Sequence, residues 1–295
     1  MALVATLISN PKAADLSQAT ANMAADALGA TSVAWLAPEI ACDIAVPAGL
    51  SREEAEGRLR GALAAKPIDV AVLEAEGRRK KMLIADMDST MIDQECIDEL
   101  AAEIGIKDRV AAITARAMNG EIAFEPALRE RVALLKGLDI SVIDRVIERR
   151  ITLASGGREL VATMRANGAY TALVSGGFTV FTGRIAAMLG FDEHRSNTLI
   201  EENGKLAGLV AEPILGREAK ASSLIEISQR LGIAPAQVMA VGDGANDLDM
   251  LRLAGAGVAL HAKPSVAAQA QIRIDHGDLT ALLYLQGYRQ EEFAR

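Results

Sequence analysis

Two aspartates, Asp86 and Asp88, stand at alternate positions directly after the apolar run Met82–Ala85. If the extended geometry of a strand continues past this run, residues two apart point to the same side, so both carboxylates can face one ligand. Ionised carboxylates beside a buried strand are costly to desolvate unless a cation or hydrogen bonds compensate them. The segment is therefore predicted either to hold a metal ion or to use the protons of its carboxyl groups. Both alternatives point to an active site.

Two further apolar runs end in polar residues in the same way. The run at 169–174 leads into the triplet Ser-Gly-Gly at 175–177, and the run at 238–241 leads into Gly-Asp-Gly-Ala-Asn-Asp at 242–247. In open α/β sheets, ligands bind in the crevice outside the carboxyl ends of the strands. The three polar strand ends are therefore predicted to converge on one crevice.

The residue types at these ends favour phosphate and metal chemistry. Asp86, Asp88 and Asp243 offer the hard oxygen ligands that Mg²⁺ accepts, although carboxylates at strand ends also cap turns. The hydroxyl of Ser175 and the backbone N–H groups that follow it suit an oxyanion or a phosphate. Lys220, which lies in a predicted helix, can bring a point positive charge to that phosphate.

The elements that must position these groups alternate between strand and helix from residue 82 onward, which is typical of a parallel α/β sheet. Further strands are predicted at 257–260 and 271–274. The segment 93–155 has helical periodicity and is too long for one crossover helix, so we expect a helical insertion that covers the site. Turn residues between β-like flanks predict a hairpin at 196–210.

The first 75 residues follow a different pattern. Their predicted order is strand, helix, strand, strand, helix, strand, which is ferredoxin-like. Ser51, followed three residues later by Glu54, is a capping-box signature that opens the second of these helices. We therefore predict a small domain at 1–76 and a larger one at 77–295, and we expect the larger one to remain folded and active without the smaller.

Composition excludes several classes of protein. The 295 residues carry a net charge of −8 and only 3% aromatic side chains, so binding to nucleic acid or to an anionic membrane is unfavourable. The one strong basic run, Arg-Arg-Lys-Lys at 78–81, is predicted to be a solvated linker edge. Cys42 and Cys96 do not make a disulfide framework, and neither a signal peptide nor an apolar run of ~20 residues is evident. The sequence predicts a cytoplasmic protein.

In their order along the chain, these groups resemble the four motifs of the haloacid dehalogenase superfamily. The motifs are Asp-x-Asp-x-Thr at 86–90, Ser175 at a strand end, Lys220, and Gly-Asp-Gly-x-x-Asp at 242–247. Within the superfamily, residues 82–280 are similar to the phosphoserine phosphatase family. The stretches that carry this finer resemblance are 86–95, 124–132, 174–178 and 241–247.

The resemblance implies both a fold and a reaction. The fold is a Rossmann-like parallel sheet of the haloacid dehalogenase type with a helical cap, preceded by a small ACT-type domain. The reaction is the Mg²⁺-dependent hydrolysis of O-phospho-L-serine, the last step of L-serine biosynthesis. ACT domains often bind an amino acid beside a glycine-containing turn after their first strand, but the turn at 10–13 contains no glycine. Serine sensing, a structural role and homodimerisation through this domain all remain open.

The resemblance also assigns roles at the reacting centre. Asp86 is the nucleophile that forms an aspartyl-phosphate. Asp88 protonates the departing serine oxygen and then takes a proton from the hydrolytic water. The family's Mg²⁺ is bound by Asp86, by the backbone carbonyl of Asp88 and by Asp243.

Further roles concern the phosphate. By the same resemblance, Ser175, the N–H of Gly176 and Lys220 hold the phosphoryl oxygens. Asn246 helps to position the phosphate or the substrate. Asp247 orients Lys220 or a metal-bound water without contacting the substrate itself.

Two residues of the predicted cap suit the amino-acid part of phosphoserine. Glu95 can pair with the ammonium group, and Arg131 can take the carboxylate through a bidentate fork. The cap would then close over the substrate and exclude water. The plainer alternative is that both belong to an exposed helical ion pair.

Two other functions stay open at this point. One keeps the chemistry but changes the substrate or the acceptor, giving a phosphotransferase or a phosphatase for phosphothreonine or another small ester. The other is an amino-acid-binding regulatory protein without catalysis. The intact set of Asp86, Asp88, Lys220 and Asp243 argues against this second alternative, since a protein without catalysis would not need both an acid and a nucleophile.

Overall fold

The computed structural model describes residues 2–118 and 121–294, so positions 119 and 120 of the predicted cap and the two terminal residues lie outside it. The strands are β1 (Leu3–Ser9), β2 (Ala34–Ala37), β3 (Ala41–Ala45), β4 (Ile68–Glu74), β5 (Met82–Ala85), β6 (Tyr170–Phe178), β7 (Glu193–Asn197), β8 (Leu199–Glu202), β9 (Lys205–Val210), β10 (Val238–Gly242), β11 (Ala256–Leu260) and β12 (Ile272–Ile274). The helices are α1 (Gln18–Leu28), α2 (Arg52–Ala62), α3 (Cys96–Glu103), α4 (Lys107–Met118), α5 (Phe124–Ala133), α6 (Ser141–Arg150), α7 (Gly157–Ala166), α8 (Thr179–Leu189), α9 (Arg217–Leu231), α10 (Leu248–Leu253), α11 (Pro264–Ala267) and α12 (Ala281–Leu285). Within these described ranges, no helix has the length and hydrophobicity needed to cross a membrane.

The N-terminal unit is an antiparallel sheet in the order β2-β3-β1-β4 with two helices packed against it. Alternate strand residues such as Leu7 and Ile44 form one buried cluster with the apolar residues of α1 and α2. At the start of α2, Ser51 Oγ accepts a hydrogen bond from the Glu54 N–H (3.2 Å), and Glu54 Oε2 accepts one from the Ser51 N–H (2.9 Å). The predicted βαββαβ order and its capping box are confirmed.

The main sheet has six parallel strands in the order β12-β11-β10-β5-β6-β7. Every residue of β5, β10 and β11 is buried, because helices cover both faces of a parallel sheet. Strands β5, β6 and β10 are neighbours, so their polar carboxyl ends meet at one edge of the sheet. The predicted parallel α/β fold is confirmed.

Strand β7 was not predicted from the sequence. Its five residues, Glu-His-Arg-Ser-Asn, include no apolar side chain, and it lies at the edge of the sheet, where a strand needs no apolar run. Strand β6 also extends beyond its predicted end to Phe178, with a shift of register against β7 between Val174 and Phe178. The Ser-Gly-Gly triplet therefore lies in the irregular part of a strand, just before α8.

The insertion after β5 is helical, as predicted, and consists of α3 to α6. A β-bridge between Ile92 and Leu153 closes its two connections to the sheet. The predicted hairpin is β8–β9, whose central residues Asn203 and Gly204 have φ values of 53° and 75°, typical of a type I′ turn. This hairpin lies against the cap, because the Gly137 N–H donates to the Leu206 carbonyl at 2.8 Å.

The N-terminal unit and the main sheet share one core. Ile8, Leu36 and Ala71 belong to the same buried cluster as Leu83 and Ile274 of the main sheet. Strand β1 therefore buries alternate residues against its own helices and against the main sheet. Removal of the N-terminal unit would expose part of this core, so the expectation that the larger domain remains folded and active without it stays a prediction.

A buried carboxylate also holds the N-terminal unit against the main sheet. Asp69, in β4, is 5% exposed and accepts hydrogen bonds from the N–H groups of Asp275 (2.8 Å), His276 (3.1 Å) and Gly277 (2.7 Å). Charge-assisted bonds of this kind are stronger than neutral ones. The loop after β12 is therefore held directly by the N-terminal unit.

The basic run at 78–81 is not uniformly solvated, so that prediction is wrong for Arg78. Its guanidinium lies 2.6 Å from Asp43 Oδ2, and the two side chains are only 10% and 14% exposed. It also donates to the backbone carbonyls of Tyr284 and Leu285, both at 3.0 Å. A charge run in the sequence does not show which of its members the fold turns inward.

Candidate active site

Lys220 lies at the centre of the predicted crevice, in the first turn of α9. Its Nζ is 2.6 Å from Asp86 Oδ1 and 2.6 Å from Asp247 Oδ1, and the three side chains are between 0% and 7% exposed. Burial lowers the pKa of Lys220, but the two carboxylates raise it by more, so the ammonium stays charged. The structure therefore brings together three of the predicted residues from β5, α9 and the segment after β10.

Three carboxylates meet around this ammonium. One oxygen each of Asp86, Asp243 and Asp247 lies within 4.8 Å of the other two. Burial and the charge of Asp247 raise the pKa of Asp86, and burial, Asp247 and Glu95 raise the pKa of Asp243 to about 7. Both pKa values are therefore raised first by burial and then by the negative charges of neighbouring carboxylates, which outnumber the single ammonium. A divalent cation that prefers oxygen ligands fits this donor set.

Two glycines make room for this arrangement. A Cβ at Gly242 would lie 2.3 Å from the carboxyl carbon of Asp247, and a Cβ at Gly244 would lie 2.2 Å from Asn246 Oδ1. The Gly244 N–H also donates to Asp247 Oδ2 at 3.0 Å. A side chain at Gly242 would therefore displace the buried carboxyl group of Asp247, and one at Gly244 would displace the amide group of Asn246.

Asp88 presents a free oxygen to the crevice. Within the described part of the chain, its Oδ1 is buried without a hydrogen-bond partner, which is rare unless a ligand or water supplies one. Burial and the charge of Glu95 raise the pKa of Asp88 to about 7, while hydrogen bonding from Cys96 opposes this increase. A carboxyl group with this pKa exchanges protons readily near neutral pH.

Ser175 closes the other side of the crevice. It is 2% exposed, and its Oγ accepts a hydrogen bond from the Gly177 N–H at 2.9 Å. A Cβ at Gly177 would lie 3.2 Å from Asp88 Oδ2, so the triplet lies directly beside that carboxyl group. The predicted convergence of the ends of β5, β6 and β10 is therefore observed.

The two predicted cap residues also face this centre. Glu95 accepts a hydrogen bond from Ser89 Oγ at 2.8 Å, and its charge raises the pKa of Asp88 and of Asp243. Burial lowers the pKa of Arg131, and the carboxylates of Asp98, Glu95 and Asp88 act in the opposite direction. Arg131 Nη1 donates to Thr114 Oγ1 at 3.2 Å, and no ion pair between Glu95 and Arg131 is present among the described residues.

Two further residues of the site were not assigned roles from the sequence. The ring of Phe124 in the cap lies against two glycines, because a Cβ at Gly176 would be 3.3 Å from the ring and one at Gly216 would be 3.5 Å from it. Asn197, at the end of β7, hydrogen-bonds to the backbone on both sides of the crevice. No spacing rule identifies either residue, because their partners lie far away in the chain.

Comparison with known proteins agrees with this geometry. The family model for haloacid dehalogenase-like hydrolases matches residues 83–252, more than half of the chain. A phosphoserine phosphatase of Albidiferax ferrireducens is 48% identical over 210 residues, which are 70% of this chain and 89% of that protein. The chain belongs to the phosphoserine phosphatase family of these hydrolases. The predicted family is therefore confirmed.

Other family members and related structures extend the comparison. A phosphoserine phosphatase of Streptomyces coelicolor is 41% identical over 257 residues, which are 86% of this chain but 62% of that protein. The chain thus spans less than two thirds of that relative. The crystal structure of a haloacid dehalogenase family hydrolase from Salmonella enterica serovar Typhi is 29% identical, with a TM-score of 0.86, and covers 96% of this chain and 98% of its own. The similarity to this structure includes the N-terminal unit.

Proposed function

We propose that this chain is a Mg²⁺-dependent phosphomonoesterase that hydrolyses O-phospho-L-serine to L-serine and phosphate through an aspartyl-phosphate on Asp86. The observation that carries the proposal is the buried contact of Lys220 with Asp86, inside a group of carboxylates and beneath a cap with a half-buried arginine. The names of the family members quoted above support the choice of substrate. In this proposal the reaction is the last step of L-serine biosynthesis.

Asp86 is the nucleophile in this proposal. One of its oxygens attacks phosphorus while the bond from phosphorus to the serine oxygen breaks. Lys220 favours the ionised form of Asp86, against the burial and the charge of Asp247 that raise its pKa, and reduces the repulsion between that group and the phosphate dianion. Asp247 holds the ammonium in place from its other side, at 2.6 Å.

Asp88 acts in turn as the general acid and the general base of the reaction. In the first half of the reaction, its protonated carboxyl group donates to the departing serine oxygen. In the second half, the same group takes a proton from the water that attacks the aspartyl-phosphate, and the bond from phosphorus to Asp86 breaks. The pKa of about 7 gives Asp88 appreciable populations of both forms near neutral pH.

Mg²⁺ would be held by the carboxylates of Asp86 and Asp243 and by the backbone carbonyl of Asp88. When bound, the cation supplies positive charge that offsets the charge of the phosphate and of the surrounding carboxylates. Asp247 is fully buried and already bonded to Lys220 and to the Gly244 N–H. We therefore assign it to positioning Lys220 and not to direct metal binding.

The cap gives the proposed preference for phosphoserine. Glu95 would receive the substrate ammonium and Arg131 its carboxylate, while Ser175, Gly176, Lys220 and Asn246 would hold or position the phosphate. Cap residue Phe124 packs against both phosphate-binding loops and would exclude water from the reacting atoms.

The test is phosphate release by the purified protein in Mg²⁺, with L-phosphoserine, L-phosphothreonine and p-nitrophenyl phosphate compared under the same conditions. We expect a strong preference for phosphoserine, and Asp86→Asn, which retains the fold, should abolish release from every ester. The extra methyl of phosphothreonine alone should reduce kcat/KM by about 10- to 200-fold. Hydrolysis of the aryl ester alone would refute the substrate but keep the chemistry. No release from any ester would favour a transferase or a binding protein.

Three further assignments belong to this proposal. The reaction takes place in the cytoplasm, with which two buried and unpaired cysteines, Cys42 and Cys96, are compatible. Residues 1–76 act as an ACT-type domain and residues 77–295 as the phosphatase domain. Two copies associate through the N-terminal domain, which light scattering of the full chain would test.

A further inference from the structure

Asn197 is a buried amide at the carboxyl end of the edge strand β7. It is 2% exposed. Its Nδ2 donates to the carbonyls of Gly176 (2.9 Å) and Leu215 (3.2 Å), and its Oδ1 accepts from the Leu215 N–H (2.7 Å). A primary amide has two N–H donors and one carbonyl oxygen, so all three groups of Asn197 are used.

These bonds join two loops of the active site. Gly176 follows Ser175 at the end of β6, and Leu215 lies five residues before Lys220, at the approach to α9. The two loops are about forty residues apart in the chain, so Asn197 connects segments that are not neighbours in sequence. Asn197 therefore bonds to both of the loops that the proposed function places around one phosphate.

The bond to Gly176 also orients the hydroxyl of Ser175. The peptide between Gly176 and Gly177 is planar, so fixing its carbonyl oxygen fixes the direction of its N–H as well. That N–H donates to Ser175 Oγ at 2.9 Å. Because the oxygen already accepts this bond, the serine hydroxyl proton can point away from the loop and toward the crevice.

We propose that Asn197 is a positioning residue for phosphoryl transfer. It holds the Gly176–Gly177 peptide, and through it the hydroxyl of Ser175, in the orientation that donates to a phosphoryl oxygen. It does not itself touch the substrate. The inference rests on the proposed function, because it assigns a phosphate to the crevice between Ser175 and Lys220.

A double-mutant cycle tests this role. Asn197→Ala, Ser175→Ala and the double variant are compared by kcat and KM on p-nitrophenyl phosphate and on L-phosphoserine. We expect Asn197→Ala to lower kcat/KM by about 10- to 100-fold on both esters, because small misplacement of a catalytic group has effects of this size. In the Ser175→Ala background the same change should have less than about a threefold effect, since interacting residues are not additive.

A buried amide whose hydrogen-bond partners are not residues of the site provides the control. Gln286 is 2% exposed, donates to the Leu282 carbonyl at 3.0 Å and accepts from the Lys80 N–H at 2.9 Å. Gln286→Ala should lower the melting temperature without changing kcat. If Asn197→Ala does not fold, Asn197→Ser, which keeps one short donor, replaces it in the cycle.

The outcomes separate this inference from the function itself. Additive losses in the cycle, or a folded Asn197→Ala variant within twofold of the wild type, would overturn the positioning role. A wild-type protein that hydrolyses only the aryl ester refutes the substrate, while the cycle on that ester still tests Asn197. A wild-type protein that hydrolyses neither ester refutes both proposals.

Discussion

Lys220 Nζ lies 2.6 Å from Asp86 Oδ1, and both side chains are almost completely shielded from solvent. In a buried site the attraction between two opposite charges is stronger than on the surface, but removing both from water is costly, so each charge depends on the other for compensation. Asp247 and Asp243 add further negative charge beside this pair. We therefore expect replacement of either Lys220 or Asp86 to affect both the proposed chemistry and the stability of the fold.

Replacing Lys220 should affect both properties. Lys220→Met keeps the length of the side chain but leaves buried carboxylates without their ammonium, so we expect a loss of activity of about 1,000-fold or more and a destabilisation of about 3–5 kcal/mol. Part of the stability should return at pH 5, where the carboxylates protonate. Phosphate release and thermal unfolding measure both effects. The control is Lys107→Met at an exposed ion pair, and activity of Lys220→Met within tenfold of wild type would contradict the assignment.

The stability of the metal-free protein should fall as pH rises. Burial raises the pKa of Asp88 and of Asp243 to about 7, above the ordinary value for aspartate. A carboxyl group whose pKa is raised in the folded state stabilises the fold at low pH, and this contribution is lost as pH rises through the folded pKa. In chelator, the melting temperature should therefore decrease between pH 5.5 and pH 8.

Mg²⁺ should reverse this loss, because it binds the ionised carboxylates. Its stabilising effect is expected to be larger at pH 8 than at pH 5.5. Asp243→Asn should make both the melting temperature in chelator and the stabilisation by Mg²⁺ less dependent on pH. Thermal scans with and without Mg²⁺ measure them. A melting temperature that rises with pH in chelator would show that the buried carboxylates are compensated in another way.

Arg131→Ala should discriminate between substrates. Loss of a charged hydrogen-bonding partner for the substrate carboxylate is expected to lower kcat/KM for phosphoserine by about 30- to 100-fold, and to spare p-nitrophenyl phosphate, which has no carboxylate. Arg129→Ala is the matched control, since Arg129 lies on the same helix but is exposed and paired with Glu212. An equal decrease in kcat/KM for both esters would contradict the assignment of Arg131 to the substrate carboxylate.

Arg78 should matter for stability and not for catalysis. Arg78→Ala removes the ion pair of a largely buried Asp43, which retains its hydrogen bond from Thr6, and removes hydrogen bonds to two backbone carbonyls, so we expect a destabilisation of about 3 kcal/mol. Arg79→Ala removes an exposed pair with Glu292 and should change stability by less than about 1 kcal/mol. Denaturant titration compares the two variants, and their kcat values should match the wild type. Deletion of residues 1–75 should be more destabilising than either, since it also exposes the shared core.

The sequence alone predicted the residues to which the proposed chemistry is assigned and the parallel α/β arrangement of the elements that hold them. Asp86, Asp88, Ser175 and Asp243 could be placed because each follows an apolar run, and parallel strands bring their carboxyl ends to one edge of the sheet. Local signals also predicted the capping box, the hairpin turn and the helical cap, since propensity and periodicity act within a few residues of the chain.

The tertiary structure decided which residues support that site from a distance. Asn197, Phe124 and the buried Arg78 contact partners that are remote in sequence, and no periodic pattern or short motif records such contacts. Strand β7, which carries Asn197, was not predicted because an edge strand can be entirely polar. The shared core under the N-terminal unit also depends on packing between distant segments. Packing and hydrogen bonding between distant segments are set only when the chain folds, so they could not be predicted from local sequence.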